Sequence, residues 1–397
     1  MTSQELLVQT LNHKQPERVV FDMGSSAVTG IHVRALENLR NYYGLEKRPV
    51  RVIEPYQMLG LVESDLMGAI GIDVTSAWGE DNMLGYSNQP PLKLFKTFWG
   101  QEILVPEKFS TKYDEKGDLL SFPDGDISLE PSAKMPQSSY FFDAIERQQL
   151  IDDENLKVDD NLEEFSPIND KTLQFWKNET TKARATGKGV VAALGGTALG
   201  DIALIPAMQL NQPKGIRSVA EWYMSTVMRS DYVKEIFDRQ SALAIENLVR
   251  LNEVVGNNID VIFLCGTDFG TQDSTFCAPE QFDDLWKPFY QRINYWIHSN
   301  TTWKTFKHSC GAVEGFMSRF IDAGFDIINP VQVNAKGMDP KILKDRYGKY
   351  LTFWGGGIDT QKTLPNGTPE QIREEVLRHC DIFAKDGGFV FNTVHNI

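Results

Sequence analysis

His308 and Cys310 are the residues whose types and spacing most directly indicate chemistry, and they lie two positions apart in the segment KHSCG. Alternate residues of an extended segment project to the same side, so this imidazole and this thiol can face one site. A thiolate together with an imidazole suits Zn²⁺ best among the common metals. A metal-free interpretation, with a packed cysteine beside a hydrogen-bonded histidine, fits the same two residues equally well.

A third ligand is expected from another part of the chain, because catalytic zinc sites usually have three protein ligands and one open position. His395 is the best candidate, and Asp268 is an alternative that offers oxygen. Ligand atoms lie about 2.0 to 2.3 Å from a zinc ion, so the three atoms are expected within about 4 Å of one another. The other cysteines are weaker candidates and are expected to pack in the interior; they are Cys265, Cys277 and Cys380.

Several further residues follow short apolar runs, where a barrel enzyme would carry its functional groups. Asp22 and Asp268 are candidate catalytic carboxylates. Five residues are candidates for substrate contact, namely Gln272, Asn329, Gln332, Gly356 and Asp359. Glycine permits close approach of a ligand to the backbone, although a tight turn explains Gly356 equally well.

Eight short runs rich in β-branched and aromatic residues alternate with longer helical stretches. The runs are VVFDMG from Val19, IDVTSAW from Ile72, VVAALGG from Val190, DVIFLCGTD from Asp260, TTWKTFKHS from Thr301, FDIINPV from Phe325, YLTFWGGG from Tyr350 and GFVFNTV from Gly388. Near-continuous apolar strands alternating with amphipathic helices indicate a parallel sheet covered by helices. Eight such units predict an α/β fold, a (β/α)₈ TIM barrel with its site at the carboxyl ends of the strands.

More than 100 residues separate the second run from the third, which is too many for one crossover helix. Strand-like runs on either side of Asp114-Glu115-Lys116-Gly117 predict a β-hairpin there. We expect one domain over residues 1–397, with an inserted hairpin and helical excursion over about residues 79–188 that decorates the rim and narrows the mouth. The motif GGTALG from Gly195 lacks the spacing of a dinucleotide fingerprint, so nucleotide binding is not expected.

The amino-acid composition limits which binding partners and which cellular compartment are expected for this chain. The chain has 397 residues, 41% of them hydrophobic, and a net charge of −14, which disfavours nucleic-acid and anionic-membrane partners. Its first residues lack the basic and apolar regions of a signal peptide, so a cytoplasmic location is expected. The sequence stops where an eighth helix should begin, which suggests a longer natural chain. A homodimer is an open alternative to a monomer.

Several stretches together resemble the uroporphyrinogen decarboxylase superfamily, most densely from about Asp260 to the end. They include GTDFGTQ, KHSCG, AGFDIINPVQ, GMDPKILKDRYG and LTFWGGGIDTQKTLPNGTPEQI. The chain looks most like the branch labelled uroporphyrinogen decarboxylase-like or corrinoid-dependent methyltransferase. The resemblance implies a (β/α)₈ barrel, in agreement with the eight runs.

The two activities of this superfamily use different residues. Its decarboxylases carry an arginine-rich segment of the form RQAGRY, where this chain reads RVVFDMGSSAVTG, and Arg18 is the only nearby arginine before the strand. Its methyltransferases hold zinc with His-x-Cys and a third, distant ligand that is commonly cysteine. His308 and Cys310 match the first part, whereas this chain has His395 near the third position.

The resemblance therefore implies a zinc-dependent methyltransferase that moves a methyl group between a small thiol, methyl ether or alcohol and the cobalt of a corrinoid on a partner protein. Asp268 would orient a ligand or the substrate, and Asn329 and Gln332 would hydrogen-bond the substrate. A metal-free carboxy-lyase of tetrapyrrole metabolism, with Asp22 or Asp268 stabilising a cationic intermediate, is the first alternative. A non-catalytic barrel that binds a corrinoid or tetrapyrrole is the second.

Overall fold

The computed structural model describes all residues from 1 to 397, which form sixteen strands and twelve α-helices. The strands are β1 (Val20–Phe21), β2 (Val50–Glu54), β3 (Leu59–Gly60), β4 (Val74–Ala77), β5 (Leu92–Lys96), β6 (Glu102–Pro106), β7 (Thr111–Tyr113), β8 (Leu119–Ser121), β9 (Ala133–Met135), β10 (Asp143–Ala144), β11 (Gly189–Ala192), β12 (Val261–Cys265), β13 (Lys304–His308), β14 (Ile327–Asn329), β15 (Thr352–Trp354) and β16 (Phe389–Phe391). The helices are α1 (Ser3–Leu11), α2 (Val33–Tyr42), α3 (Ser64–Ile70), α4 (Asp170–Arg184), α5 (Val219–Met228), α6 (Ser230–Val255), α7 (Pro279–Leu285), α8 (Lys287–Asn300), α9 (Met317–Asp322), α10 (Pro340–Tyr347), α11 (Thr363–Asn366) and α12 (Pro369–Phe383).

Eight parallel strands form the central sheet in the order β1-β16-β15-β14-β13-β12-β11-β4. The two end strands are joined by a hydrogen bond in which Asp73 N donates to Phe21 O at 2.8 Å, so the sheet closes into a barrel. Each barrel strand coincides with one of the eight apolar runs of the sequence, and only β11 begins one residue before its run. The prediction of a (β/α)₈ barrel is confirmed.

The barrel lumen is filled by one apolar side chain from every barrel strand. These side chains are Val20, Val74, Val191, Val261, Phe306, Ile327, Trp354 and Val390. Helix α1 packs Leu6, Leu7 and Leu11 against the same cluster. Side chains alternate along a strand, so His308 projects to the same side as Phe306 but nearer the carboxyl end. Functional groups are therefore placed above a solid lumen.

Two of the barrel helices show how the sequence sets their ends. Thr368, the first residue of the segment TPEQ, caps α12 through a capping box with Gln371. Residues 279–300 form two helices, α7 and α8, which meet at Trp286. Pro288 explains this break, because its ring cannot continue a helix from the preceding turn.

Two small sheets lie outside the barrel and are called the rim sheets. One has the order β3-β2-β6-β5 and the other β10-β9-β8-β7. The predicted hairpin around Asp114 and Gly117 is confirmed by the antiparallel pair β7 and β8. The sequence analysis missed β2 and β3, which come from the segment between the first two barrel strands. It also extended the excursion too far, since α4 packs on β4, β11 and α6 as a barrel helix.

None of the helices in the structure is both long enough and apolar enough to cross a bilayer.

Candidate metal and active site

His308 ends β13 and is held by the neighbouring strand. Its Nδ1 lies 2.6 Å from Asn329 Oδ1, and the amide of Asn329 donates through Nδ2 to Trp354 O at 2.8 Å. Because Nδ2 of Asn329 is used as a donor, Oδ1 must be the acceptor, and His308 Nδ1 carries the proton. The lone pair of Nε2 is then free. An imidazole oriented in this way is typical of a metal ligand.

Cys310 is hydrogen-bonded to this nitrogen, with Sγ 3.3 Å from His308 Nε2. That separation suits two ligands placed about 2.0 and 2.3 Å from one zinc ion. The loop after β13 is fixed by its backbone, since Cys310 N donates to Asp268 Oδ1 at 2.6 Å and Gly311 N donates to Gln332 Oε1 at 2.9 Å. The thiol therefore has a defined position.

His395 completes the predicted group of three. One ligand atom from each of His308, Cys310 and His395 lies within 4.8 Å of the other two, and the two imidazole rings are 5.3 Å apart at 82°. This spread exceeds the expected limit of about 4 Å, so binding requires an inward movement of roughly 1 Å. His395 Nδ1 also accepts a hydrogen bond from Asn396 N at 2.8 Å. The three residues form a candidate metal centre whose ligand atoms must move closer together to bind an ion.

Burial determines the protonation of this group. It lowers the pKa of His308 and of His395 to about 4 each, and the proximity of His308 lowers that of His395 further. Burial, aided by the charge of Asp268, raises the pKa of the Cys310 thiol well above its usual value. Both imidazoles are thus neutral near pH 7, whereas the thiol keeps its proton. A metal ion that binds here must displace that proton.

A cavity of about 350 Å³ adjoins the three residues. Its wall is mainly apolar and includes the loop after β11, the end of β12 and three residues that flank the rim strands. Those three are Tyr56, Gln57 and Met83. The charged side chains in the wall are the carboxylates of Asp201 and Asp268.

Asp201 is a cavity residue that the sequence analysis missed. It is buried, and it accepts hydrogen bonds at 3.0 Å from Ala203 N and Gly266 N. Burial raises its pKa to about 6, and the charge of Asp268 adds to the effect. The sequence signal that could have identified Asp201 is its position in the segment GGTALGD, in the loop that follows a barrel strand. Asp268 itself is partly buried, which raises its pKa.

Asp22 does not line the cavity. Its carboxylate is fully buried and accepts hydrogen bonds from Trp354 Nε1 at 2.9 Å and from Ser25 Oγ at 2.8 Å. Burial raises its pKa to about 6. These contacts describe a carboxylate that holds the strand ends together, and they give no support to the catalytic role predicted for it.

The five residues predicted to contact substrate also lie outside the cavity wall. Asn329 supports His308 from behind. Gln332 donates through Nε2 to Gln272 Oε1 at 2.9 Å, so this pair braces the loop of Cys310.

Gly356 has a φ of +76° and faces Val331, which matches a tight turn. Asp359 accepts from Gln361 N at 2.7 Å and from Asn334 Nδ2 at 3.1 Å. Their direct contact with substrate stays a prediction without geometric support.

Comparisons with known proteins agree with the barrel and cover the candidate site. The family model described as uroporphyrinogen decarboxylase (URO-D) matches residues 156–397. A solved methyltransferase from Methanosarcina mazei has 14% identity and a TM-score of 0.50, over 99% of this chain and 93% of that one. A morphinone reductase in complex with tetrahydroNAD has 13% identity and a TM-score of 0.29, over 92% of each chain, too low a score for any inference. No curated protein sequence matches the chain significantly.

Proposed function

The chain belongs to the uroporphyrinogen decarboxylase family, and within it we propose a zinc-dependent methyltransferase. It moves a methyl group between a small thiol, methyl ether or alcohol and the cobalt of a corrinoid carried by a separate protein. The observation that carries this proposal is the convergence of His308, Cys310 and His395 beside one cavity. The similarity in fold to a structure named as a methyltransferase supports it.

The donor set fits zinc, since His308, Cys310 and His395 would supply two imidazoles and one thiolate, the ligands of an ordinary catalytic zinc site. Zinc held there would lower the pKa of a substrate thiol or polarise an ether or alcohol oxygen. Asn329 keeps the proton of His308 on Nδ1 and leaves Nε2 for the ion. Asp268 holds the Cys310 backbone. The mainly apolar wall would limit the access of water to the reacting atoms.

When the acceptor is a thiol, methyl transfer forms one bond at the methyl carbon and breaks another. The substrate sulfur forms a bond to the methyl carbon, the cobalt–carbon bond breaks, and its electron pair stays on the cobalt as Co(I). The thiol proton must leave, and Asp201 is placed to accept it because it lines the cavity and its pKa is about 6. The reverse direction returns that proton to the departing sulfur.

A tetrapyrrole decarboxylase is less consistent with this wall. Its substrate carries several carboxylates, which need fixed cations such as arginine for binding. Here the charged side chains that face the cavity are Asp201 and Asp268, which would repel such a substrate. The charges in the cavity wall therefore give no support to the carboxy-lyase alternative.

Metal analysis together with a transfer assay tests the proposal. Protein produced with ample zinc should contain about one zinc per chain. Under anaerobic conditions it should convert methylcobalamin and 2-mercaptoethanol to cob(I)alamin and the methyl thioether, followed by absorbance. Removal of zinc with a chelator should abolish this conversion, and added zinc should restore it. Protein without zinc that releases CO₂ from uroporphyrinogen would instead establish the carboxy-lyase, and zinc-loaded protein inactive in both assays would favour the non-catalytic barrel.

The affinity for zinc should rise about tenfold per pH unit between pH 6 and pH 8. The reason is that one proton leaves Cys310 when the ion binds, since burial holds the pKa of that thiol above its usual value. His308 and His395, with pKa values of about 4, contribute no proton in this range. Competition with a chromophoric chelator at pH 6, 7 and 8 measures the slope. An affinity independent of pH would exclude Cys310 as a ligand.

A further inference from the structure

Lys307 is a fully buried lysine next to the metal ligands, and its side chain plays no part in the cavity wall. Its Nζ donates to the carbonyl oxygens of Thr267 and of His308, the latter at 2.5 Å. The same nitrogen lies 5.1 Å from the ring centre of Phe269 and 5.6 Å from that of Phe320. A lysine nitrogen has three N–H donors, and here two go to backbone carbonyls while aromatic rings border the rest.

The two carbonyls lie at the ends of neighbouring strands: Thr267 is two residues past the end of β12, and His308 is the last residue of β13. The β12–β13 ladder contains a bulge between Phe263 and Cys265, and its last pair is Cys265 with Lys307. Beyond that pair the two strands share no ladder bonds. Lys307 reaches past the end of the ladder to one carbonyl on each side, and so it takes the place of the missing strand pairing.

The residues joined in this way carry the candidate metal centre. Thr267 immediately precedes Asp268, and His308 is one of the three ligands. Two further hydrogen bonds join the same segments, because Cys310 N donates to Asp268 Oδ1 at 2.6 Å and Phe269 N donates to Ser309 Oγ at 2.9 Å. The segments that follow β12 and β13 are therefore connected by several side chains, and Lys307 supplies the connection beside Phe269 and Phe320.

We propose that Lys307 is a positioning residue of the metal centre, which fixes the distance between the end of β12 and the end of β13. The inference rests on the proposed function. An apolar residue would suit the space between Phe269 and Phe320, and burying a cation is costly unless it is well compensated. The hydrogen bonds to Thr267 and His308 supply that compensation between the chain segments that carry Asp268 and the ligand candidate His308.

Replacement of Lys307 by methionine, Lys307→Met, tests this role with Co²⁺ as the probe metal. Methionine keeps an unbranched apolar stem but loses the donors. The Co²⁺ affinity should fall about 10- to 100-fold, the usual cost of losing an outer partner of a metal ligand. The d–d and thiolate-to-cobalt absorption bands should change as well, because the ligands move. Lys307→Arg, which keeps charge and donors, should recover part of both.

Lys304→Met is the matched control. Lys304 lies on the same strand at its other end, partly exposed, and pairs with Asp326 at 3.2 Å. Its replacement should change neither the Co²⁺ affinity nor the spectrum. Equal losses in the two variants would mean a general effect of strand stability and would overturn the proposal.

The outcomes separate this inference from the proposed function. Wild-type protein that binds neither Zn²⁺ nor Co²⁺ would overturn the proposed function, and this inference with it. Wild-type binding together with unchanged affinity and spectrum in Lys307→Met would overturn this inference alone. If circular dichroism shows that Lys307→Met does not fold, Lys307→Gln takes its place in the same measurements. Failure of both variants to fold would assign Lys307 to barrel stability and reject a positioning role.

Discussion

Replacing Cys310 by serine is expected to remove nearly all bound zinc and leave the barrel folded. The hydroxyl of serine is a poor substitute for the thiolate that zinc prefers. The loss of affinity should exceed the roughly 10- to 100-fold that follows removal of an outer partner. The fold should persist because Cys310 lies in a loop above the lumen and outside its packed side chains. Zinc content and thermal unfolding measure these two parts of the expectation, and methyl transfer should be lost together with the zinc.

Cys380→Ser is the matched control for this change. Cys380 lies on α12, away from the cavity wall, so its replacement should leave zinc content and transfer unchanged. Full zinc content in Cys310→Ser would show that the thiol is not a ligand. The group of three would then be a packed cysteine between hydrogen-bonded histidines, and the methyltransferase proposal would lose its main support.

Replacing Gly311 by alanine should disrupt the metal centre although no ligand is changed. Gly311 has a φ of +88°, where any other residue is strained by about 1 to 2 kcal/mol. An added methyl group would also lie 2.4 Å from Thr271 O and 2.5 Å from the carbonyl carbon of Gly270. These are backbone atoms of the β12 loop that cannot rotate away. The strain must be relieved by moving Cys310, and zinc content should fall sharply.

Gly315→Ala controls for the general effect of adding a methyl group near this loop. An added methyl at Gly315 would meet nothing within 4 Å, so zinc content should be that of the wild type. Both variants should be compared for zinc content and melting temperature. Gly311→Ala with full zinc content and an unchanged melting temperature would contradict the tight packing described for the loop of Cys310.

Much of the barrel could be predicted because its strands are buried on both faces. Near-continuous apolar runs between amphipathic helices carry that information locally, and all eight appear in the sequence. The candidate metal ligands could also be predicted from local spacing. His308 and Cys310 are two residues apart after a strand, and His395 follows the last strand. All three lie close together because the carboxyl ends of the parallel strands meet at one end of the barrel.

The remaining errors concern facts that depend on register and tertiary contact. Asn329 supports His308 because these two residues are paired across β13 and β14, and no local pattern reveals that register. Asp22 turns toward Trp354 only because β1 and β15 flank β16 in the closed sheet. Asp201 enters the cavity through the path of a long loop. In each case the sequence shows the type of the residue, whereas it does not show which residues lie next to it in the folded protein.

The parallel pairing of β2 with β6 limits how this enzyme could be re-engineered. Barrel enzymes are commonly given new specificity by grafting one loop between strands, since each loop is built separately. Here Val50 pairs with Ile103 across two different insertions, and both insertions reach the cavity, through Gln57 and Met83 respectively. Exchange of one insertion alone would leave the other with an unpaired, aggregation-prone strand edge. A transplant of specificity would therefore have to move both insertions as one unit.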